Sequence, residues 1–472
     1  MAISAFCVYY EHLWKYAALG AALVVAAWLA CKYLAIPEKV FLPVFVAVAL
    51  PSKVAVALIV DAYPVKDFKV MFEAAQDVAA GNLSIQENSY FYDWAYQTGF
   101  VLYQSVFVRL FGATTAPLQV MNAVFMTGTN LLIYLIAKRL TKSRRAGAFA
   151  ATAYFFYPAP YVLASVLTNQ HVATFLIMAG LYVMIAAGPE KIWPPLVGGA
   201  LVALSDIMRP IGVVAVVAVC VWLGILVVRR LDVHSLKASW RGYWPPLRGL
   251  ALFAGVYLCL GLTASSLVAW SGVNEQGLKN NNPAWKFAIG FNQSDYGAYS
   301  SEVADQVWGT EGRTARHNLE KRLISESLSE ISKHPIRFIA RKNYIMWGQQ
   351  EMYTWSFDEE ASLNRDAATN ERWVALAEKV VKFDKGYYFL IILLAVAGLV
   401  TVMARKSVPP GTTLVALVFS VYFGIHLLIE VSPLYRYFAM PFVFILAAHS
   451  ISLLPSWNTV KARLPKRRAH VA

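Results

Sequence analysis

Eleven apolar runs recur along the chain, at about 16–36, 40–60, 118–137, 146–167, 172–187, 195–208, 211–228, 249–269, 386–403, 411–429 and 437–455. A helix needs ~20 such residues to cross a bilayer, and in lipid only a helix or a closed barrel satisfies its own backbone polar groups. The pattern predicts an all-α polytopic membrane protein, a helical bundle of about 11 spans. Several runs are short, notably the pair around 195–228 that Pro210 breaks. With 58% hydrophobic and 15% charged residues and a mean hydropathy of +0.49, the composition agrees.

The net charge of +14 does not point to nucleic acid, because the basic residues gather in short segments between apolar runs. That is the pattern of cytoplasmic loops. KRLTKSRR (138–145), RRLDVHSLKASWRGYWPPLR (229–248), Arg405-Lys406 and the tail KARLPKRR from Lys461 all fit one cytoplasmic side. The loop at 61–117, the turn at 168–171, the break at 209–210, the segment 270–385 and the turn at 430–436 then share the opposite face. An internal C-terminus and an odd number of spans put the N-terminus outside, unless Lys32 and Lys39 flank a re-entrant hairpin. The domain reading is a transmembrane module at 1–269 with the loop 61–117, an extracytoplasmic domain at 270–385, and C-terminal helices with a basic tail at 386–472.

Cys7, Cys31, Cys220 and Cys259 show no CxxC or Cys/His ligand spacing, so neither a disulfide framework nor a zinc site is expected. The N-terminus lacks the basic start of a cleavable signal and reads as retained, and no lipidation box is evident. The segment 98–111, GFVLYQSVFVRLFG with its following glycine, is too short to cross and carries Arg109, which suits a helix lying in the outer interface.

The external face holds the polar residues that could do chemistry. Asp67, in the first loop just beyond the span ending at Asp61, is the leading candidate for a general base, with Asp61, Glu73 and Asp93 as supporting acids. Each could instead be a solvated or helix-capping carboxylate. Arg209, where Pro210 breaks an apolar run, is a cation at a depth that requires an anionic partner. That partner is either a ligand phosphate or Asp206, three residues earlier on the same helix face. Arg436, beside Glu430, Tyr435 and Tyr437, is either a second phosphate ligand or a snorkelling side chain. The aromatic run Ser89–Tyr103, which includes Tyr96 and Gln97, is either an interfacial belt or a sugar-stacking surface. The turn Thr168, Asn169, Gln170 and His171 offers amides and an imidazole, or is a plain polar turn.

In this order and on this side, the residues resemble the GT-C superfamily of polyprenyl-phosphate-sugar glycosyltransferases. The nearest group is the family 39-like one of protein O-mannosyltransferases and lipid A aminoarabinose transferases. The resemblance runs from about Pro64 to Pro441, through Asp67, the YQTGFVLYQSVFVRLFG stretch ending at Gly112, KRLTKSRR, and Arg209 in its MRP context. NPAWKFAIGFNQSDYG, with Trp285 and Asn292, and the Arg436-Tyr437 pair resemble bacterial members. The sequence TNQH departs from the second acid that the group often carries at that turn.

The resemblance implies an inverting transfer of a sugar from a polyprenyl-phosphate donor to an extracytoplasmic glycan, lipid or protein acceptor. Asp67 would be the base and Arg209 and Arg436 the phosphate ligands, with Tyr96, Gln97, Asn169, Gln170, His171, Trp285, Asn292, Glu430 and Tyr437 around the substrates. No metal or cofactor is implied, although the residues alone leave a divalent ion near Asp61 and Asp67 open. The chain lacks GxxxxGK[ST] and a Rossmann GxGxxG unit, which argues against a nucleotide-driven enzyme. The rival readings are a secondary transporter or flippase of lipid-linked sugars, disfavoured because the acids cluster in a loop rather than at the bilayer midplane, and a non-catalytic scaffold.

Overall fold

The computed structural model describes residues 8–9, 12–33, 36–231, 236–349, 354–357, 360–404 and 408–453. Asp232–Ser235 of one basic segment, the Arg405-Lys406 pair, the tail from Lys461 and Cys7 lie outside the described residues. Among the described residues every regular element is helical and no strand occurs.

The membrane part begins with α1 (Trp14–Tyr33) and α2 (Glu38–Val60). The first loop carries α3 (Asp67–Ala80) and α4 (Thr98–Phe111). The bundle continues with α5 (Ala116–Thr141), α6 (Arg144–Phe155), α7 (Gln170–Ala187), α8 (Trp193–Met208), α9 (Gly212–Arg230) and α10 (Leu236–Trp270). A run of shorter helices follows: α11 (Pro283–Phe291), α12 (Ser301–Trp308), α13 (Arg313–Ile331) and α14 (Pro335–Gly348). The last three are α15 (Ala367–Met403), α16 (Pro410–Leu428) and α17 (Arg436–Ala447).

Nine helical stretches among the described residues are long and apolar enough to cross a membrane, and α8 is a shorter apolar helix beside them. The expected helical, multi-pass architecture is borne out. The apolar run at 146–167 is not one helix, because α6 stops at Phe155, ahead of Pro158 and Pro160. Proline lacks the N–H the ladder needs and clashes with the preceding turn. The irregular stretch that follows is nevertheless buried, with Leu163, Ala164 and Leu167 almost fully enclosed. Side chains of α5 satisfy its carbonyls: Asn122 donates to Ala164 O (3.1 Å) and Val166 O (2.8 Å), and Gln119 to Ser165 O (3.2 Å). Non-helical backbone at such depth requires that kind of protein partner.

A single helix, α15, runs through residue 385, where the sequence suggested the end of the external domain. A buried ion pair ties it to α17: Arg436 meets Asp384 at 3.2 Å, and both side chains are sealed from solvent. In α2 the buried Lys53 donates to the Asn130 amide oxygen of α5 and so has a partner inside the bundle.

The two ends of the bundle differ chemically. At one end Lys138 pairs with Glu38 (2.6 Å), Arg139 donates to Ala186 O (3.1 Å), and Arg230 pairs with Glu190 (2.6 Å). Arg248 donates to Glu190 O there as well (2.6 Å). At the other end lie the first loop, the Thr168–His171 turn and the α8/α9 break.

Candidate active site

The base of the site is the amphipathic helix α3, whose Phe68, Met71, Ala75 and Val78 recur at helical spacing and face Phe91, Phe100, Val101 and Val172. This seats Asp67 at the first helical position. Lys66 before it adopts φ 52°, ψ −130°, an unusual conformation for a side-chain-bearing residue, and turns the chain into the helix. No side chain caps this helix, so the helix-capping alternative for Asp67 does not apply. The neighbouring Tyr90 hydroxyl favours the ionised form of Asp67.

From Tyr90 the contacts continue in one direction. The Gln97 amide donates to the Tyr90 oxygen (3.4 Å), Asn169 Nδ2 donates to Gln97 Oε1 (3.3 Å), and Arg209 Nη1 donates to Asn169 Oδ1 (2.8 Å). Every donor in this relay points from the guanidinium towards Tyr90. The Asp206 alternative for Arg209 is not what forms: Asp206 accepts instead from the Gly212 N–H (2.7 Å) and the Tyr257 hydroxyl (2.9 Å). The acid anchors the start of α9 and leaves Arg209 to face Asn169.

Helix packing brings the relay together. At Gly99, beside Gln97, an added Cβ would lie 2.1 Å from the Ile207 carbonyl oxygen. Only glycine lets α4 approach the end of α8 closely enough for Gln97 and Arg209 to share Asn169.

Lys286 of α11 forms an ion pair with Glu430. Glu430 also donates its backbone N–H to Lys286 O (3.0 Å), so the α16/α17 loop is fastened to α11 twice. A Cβ on Gly290 would lie 2.4 Å from the Ile429 carbonyl carbon, and its absence lets the two segments meet.

These groups are close enough to perturb one another's titration. Burial raises the Asp67 carboxyl above its ordinary value, Lys286 opposes the rise and Glu430 adds to it. Yet Asp67 retains substantial accessible surface. A group that is both accessible and closely surrounded by protein stands on the wall of a cleft. Lys286 has the same character, with 35% of its side chain accessible. Burial opposes its ammonium, but Glu430 and the hydroxyls of Tyr435 and Tyr96 outweigh burial and hold its pKa well above the usual lysine value. Burial also raises Tyr96, which senses Lys286, Arg209, Asp67 and Glu430 together. Tyr435 lies in reach of the same four groups, its ring 5.8 Å from the Arg209 guanidinium.

The remaining candidates lie elsewhere or serve packing. Asp61, in a left-handed conformation at the end of α2, accepts from Thr115 (3.4 Å) and Gln119 (3.3 Å) and ties the loop to α5. Glu73 is solvent-exposed on α3. Asp93 pairs with Arg316 of α13 (3.5 Å). Arg436 neither snorkels nor faces the recess: it is 1% exposed, paired with Asp384, donating to Gln349 O (2.9 Å) and stacked 4.2 Å from the Tyr388 ring centroid. A cation consumed in this way is not available to a ligand. His171 is buried between the Tyr437 hydroxyl (2.7 Å) and Leu163 O (2.9 Å), which removes both residues from the accessible surface. Gln170 is buried beside them. Trp285 belongs to the core of the short-helix region, against Trp308, and Asn292 shapes a turn through Ser294 and Asp295.

Sequence reasoning did not single out Tyr90 and Lys286. Lys286 had a legible signal, a lone cation between apolar residues in PAWKFAIGF, because a charge on an apolar helical stretch requires a partner. Tyr90 was hidden in an aromatic run where every residue has the same interfacial explanation. Among the described residues no group of three or more His, Cys, Asp or Glu side chains could hold a metal ion.

Residues 99–257 match the family model for dolichyl-phosphate-mannose-protein mannosyltransferase. Over that stretch the resemblance to the GT-C superfamily is borne out. The matched stretch contains Asn169 and Arg209 and stops short of Asp67, Lys286 and Glu430. No curated protein matches the chain. Among solved structures, the chain is similar to the archaeal oligosaccharyltransferase AglB from Archaeoglobus fulgidus in complex with an inhibitory peptide and a dolichol-phosphate. That similarity has a TM-score of 0.49 at 11% identity, over 91% of this chain and 52% of that one. It is also similar to the Archaeoglobus fulgidus oligosaccharyltransferase tethered to an acceptor peptide, with a TM-score of 0.48 at 11% identity, over 88% of this chain and 50% of that one. The chain thus spans about half the length of the solved structures it matches.

Proposed function

We propose that this chain is an integral membrane glycosyltransferase that moves a sugar from a polyprenyl-phosphate donor to an extracytoplasmic acceptor, with inversion at the anomeric carbon. The observation that carries the reading is the relay from Arg209 through Asn169 and Gln97 to Tyr90, the neighbour of Asp67, which brings a cation and a base to the two ends of one connected set of side chains. The family match to a dolichyl-phosphate-mannose enzyme supports a lipid-phosphate donor. The basic opposite end of the bundle supports an outward-facing recess.

In this mechanism Asp67 takes the proton of the acceptor hydroxyl. The freed oxygen bonds to the anomeric carbon as the bond from that carbon to the phosphate oxygen breaks. The electron pair leaves on the phosphate, which Arg209 holds, with Lys286 as the second cation in place of Arg436. A carboxyl raised by burial is a stronger base than a solvated one.

Mass spectrometry of cell-envelope glycans, with wild type, with Asp67→Asn and without the protein, tests the reading. A sugar lost equally from the last two supports it, and an unchanged envelope under expressing conditions sinks it.

A further inference from the structure

A second cavity lies at the basic end of the bundle, walled by α1, α2, α5 and α6, with a volume of about 400 Å³. Its deeper wall is apolar, with Ala27, Ile36, Phe41 and Ala148, and Arg144 and Arg145 line it together with Ser143. We propose that this cavity binds one anionic phospholipid, with its phosphate against Arg144 and Arg145 and part of a chain along the apolar wall.

Three observations carry this. First, the two arginines are exposed and form no ion pair with a described residue, whereas Lys138 and Arg230 nearby are paired with Glu38 and Glu190. Glu38, the one acid of the cavity, is neutralised by Lys138, so the lining carries spare positive charge. A zwitterionic headgroup would bring a cation with no partner there, and a net-anionic one would not. Second, Ser143 caps α6 by accepting from the Ala146 N–H, and the first-turn N–H groups of a helix favour an anion at this end. Third, α1 and α2 expose Leu29, Val40 and Val44, the surface of a lipid-facing pair, so the cavity borders the membrane rather than bulk water. A basic pocket between spans on the side marked by positive charge is the setting in which proteins hold anionic headgroups.

The test uses the full-length protein purified in mild detergent and native mass spectrometry after adding phosphatidylglycerol, phosphatidylcholine or glycerol 3-phosphate. Wild type is expected to retain one phosphatidylglycerol at least tenfold better than phosphatidylcholine. The double variant Arg144→Gln/Arg145→Gln should lose that preference. The charge-matched Lys142→Gln/Arg229→Gln, which removes two exposed cations outside the cavity, should keep it. Ala148→Trp, which fills the apolar wall and leaves both arginines, should also lose it. Equal loss in both charge variants, equal retention of the two lipids, retention by Ala148→Trp, or displacement by glycerol 3-phosphate at the same concentration would each overturn the proposal.

Discussion

Arg209 and Tyr90, the neighbour of Asp67, stand at opposite ends of a single hydrogen-bond relay whose donors all point towards the tyrosine. Aspartate and asparagine have the same shape, so the substitution preserves the packing around the site. Asp67→Asn should therefore fold and bind donor lipid normally while losing about 10²- to 10⁴-fold in turnover, the usual contribution of a general base. Donor binding by a fluorescent polyprenyl phosphate beside single-turnover transfer measures the two separately. A variant that transfers sugar at the wild-type rate would remove Asp67 from the mechanism.

The relay depends on how closely two helices meet. Gly99→Ala would put a methyl group 2.1 Å from the Ile207 carbonyl oxygen, a backbone atom that cannot rotate away, so α4 and α8 must separate. Asn169→Ala introduces no clash and removes the bridge between Gln97 and Arg209 together with the amide's hydrogen bond to Met208 O (3.0 Å). Both should slow transfer, by roughly tenfold for Asn169→Ala if the bridge contributes about 1.4 kcal/mol at the transition state. Only Gly99→Ala should also lower the melting temperature. Thermal unfolding of the two variants separates positioning from packing.

Acid sensitivity should follow the charges around Asp67. Burial holds its carboxyl above 3.8, so transfer should fall as pH drops through a limb above that value, where the base takes up a proton. Tyr90→Phe deletes a hydroxyl that favours the ionised form and should move the limb to higher pH. Lys286→Gln deletes a favourable charge and should move it the same way, whereas Glu430→Gln deletes an unfavourable one and should move it down. The pH profile of kcat/KM for the three variants reads out these signs, and a common direction for all three would contradict the electrostatic account.

The sequence made the spans legible because apolar length is a local property, and the separate short helix at 98–111 was legible from its length for the same reason. The Pro158/Pro160 interruption and the buried loop after it were not, since apolar composition looks the same in a helix and in a packed irregular strand of chain. Asp67 and Arg209 could be picked as charges at the ends of apolar runs. Their connection could not, because it depends on Gly99 meeting Ile207 across unrelated helices. Arg436 and Arg209 are indistinguishable by position at a span end. Only the fold shows that one finds Asp384 and the other finds the recess.

That contrast yields the last expected outcome. Arg436→Ala would strand Asp384 as a buried, unpaired acid, a change that typically costs about 3–5 kcal/mol. Arg209→Ala removes a half-buried side chain whose main partner is a neutral amide, so it should cost far less stability and should instead weaken donor binding. Replacing both members of the buried pair, as Arg436→Met with Asp384→Leu, should recover much of the lost stability, because neither charge is then left unpaired. Melting temperatures of the four proteins in one detergent measure the first effect and donor titration the second. If Arg209→Ala proved the less stable of the single variants while Arg436→Ala lost donor affinity, the roles assigned to the two arginines would have to be exchanged.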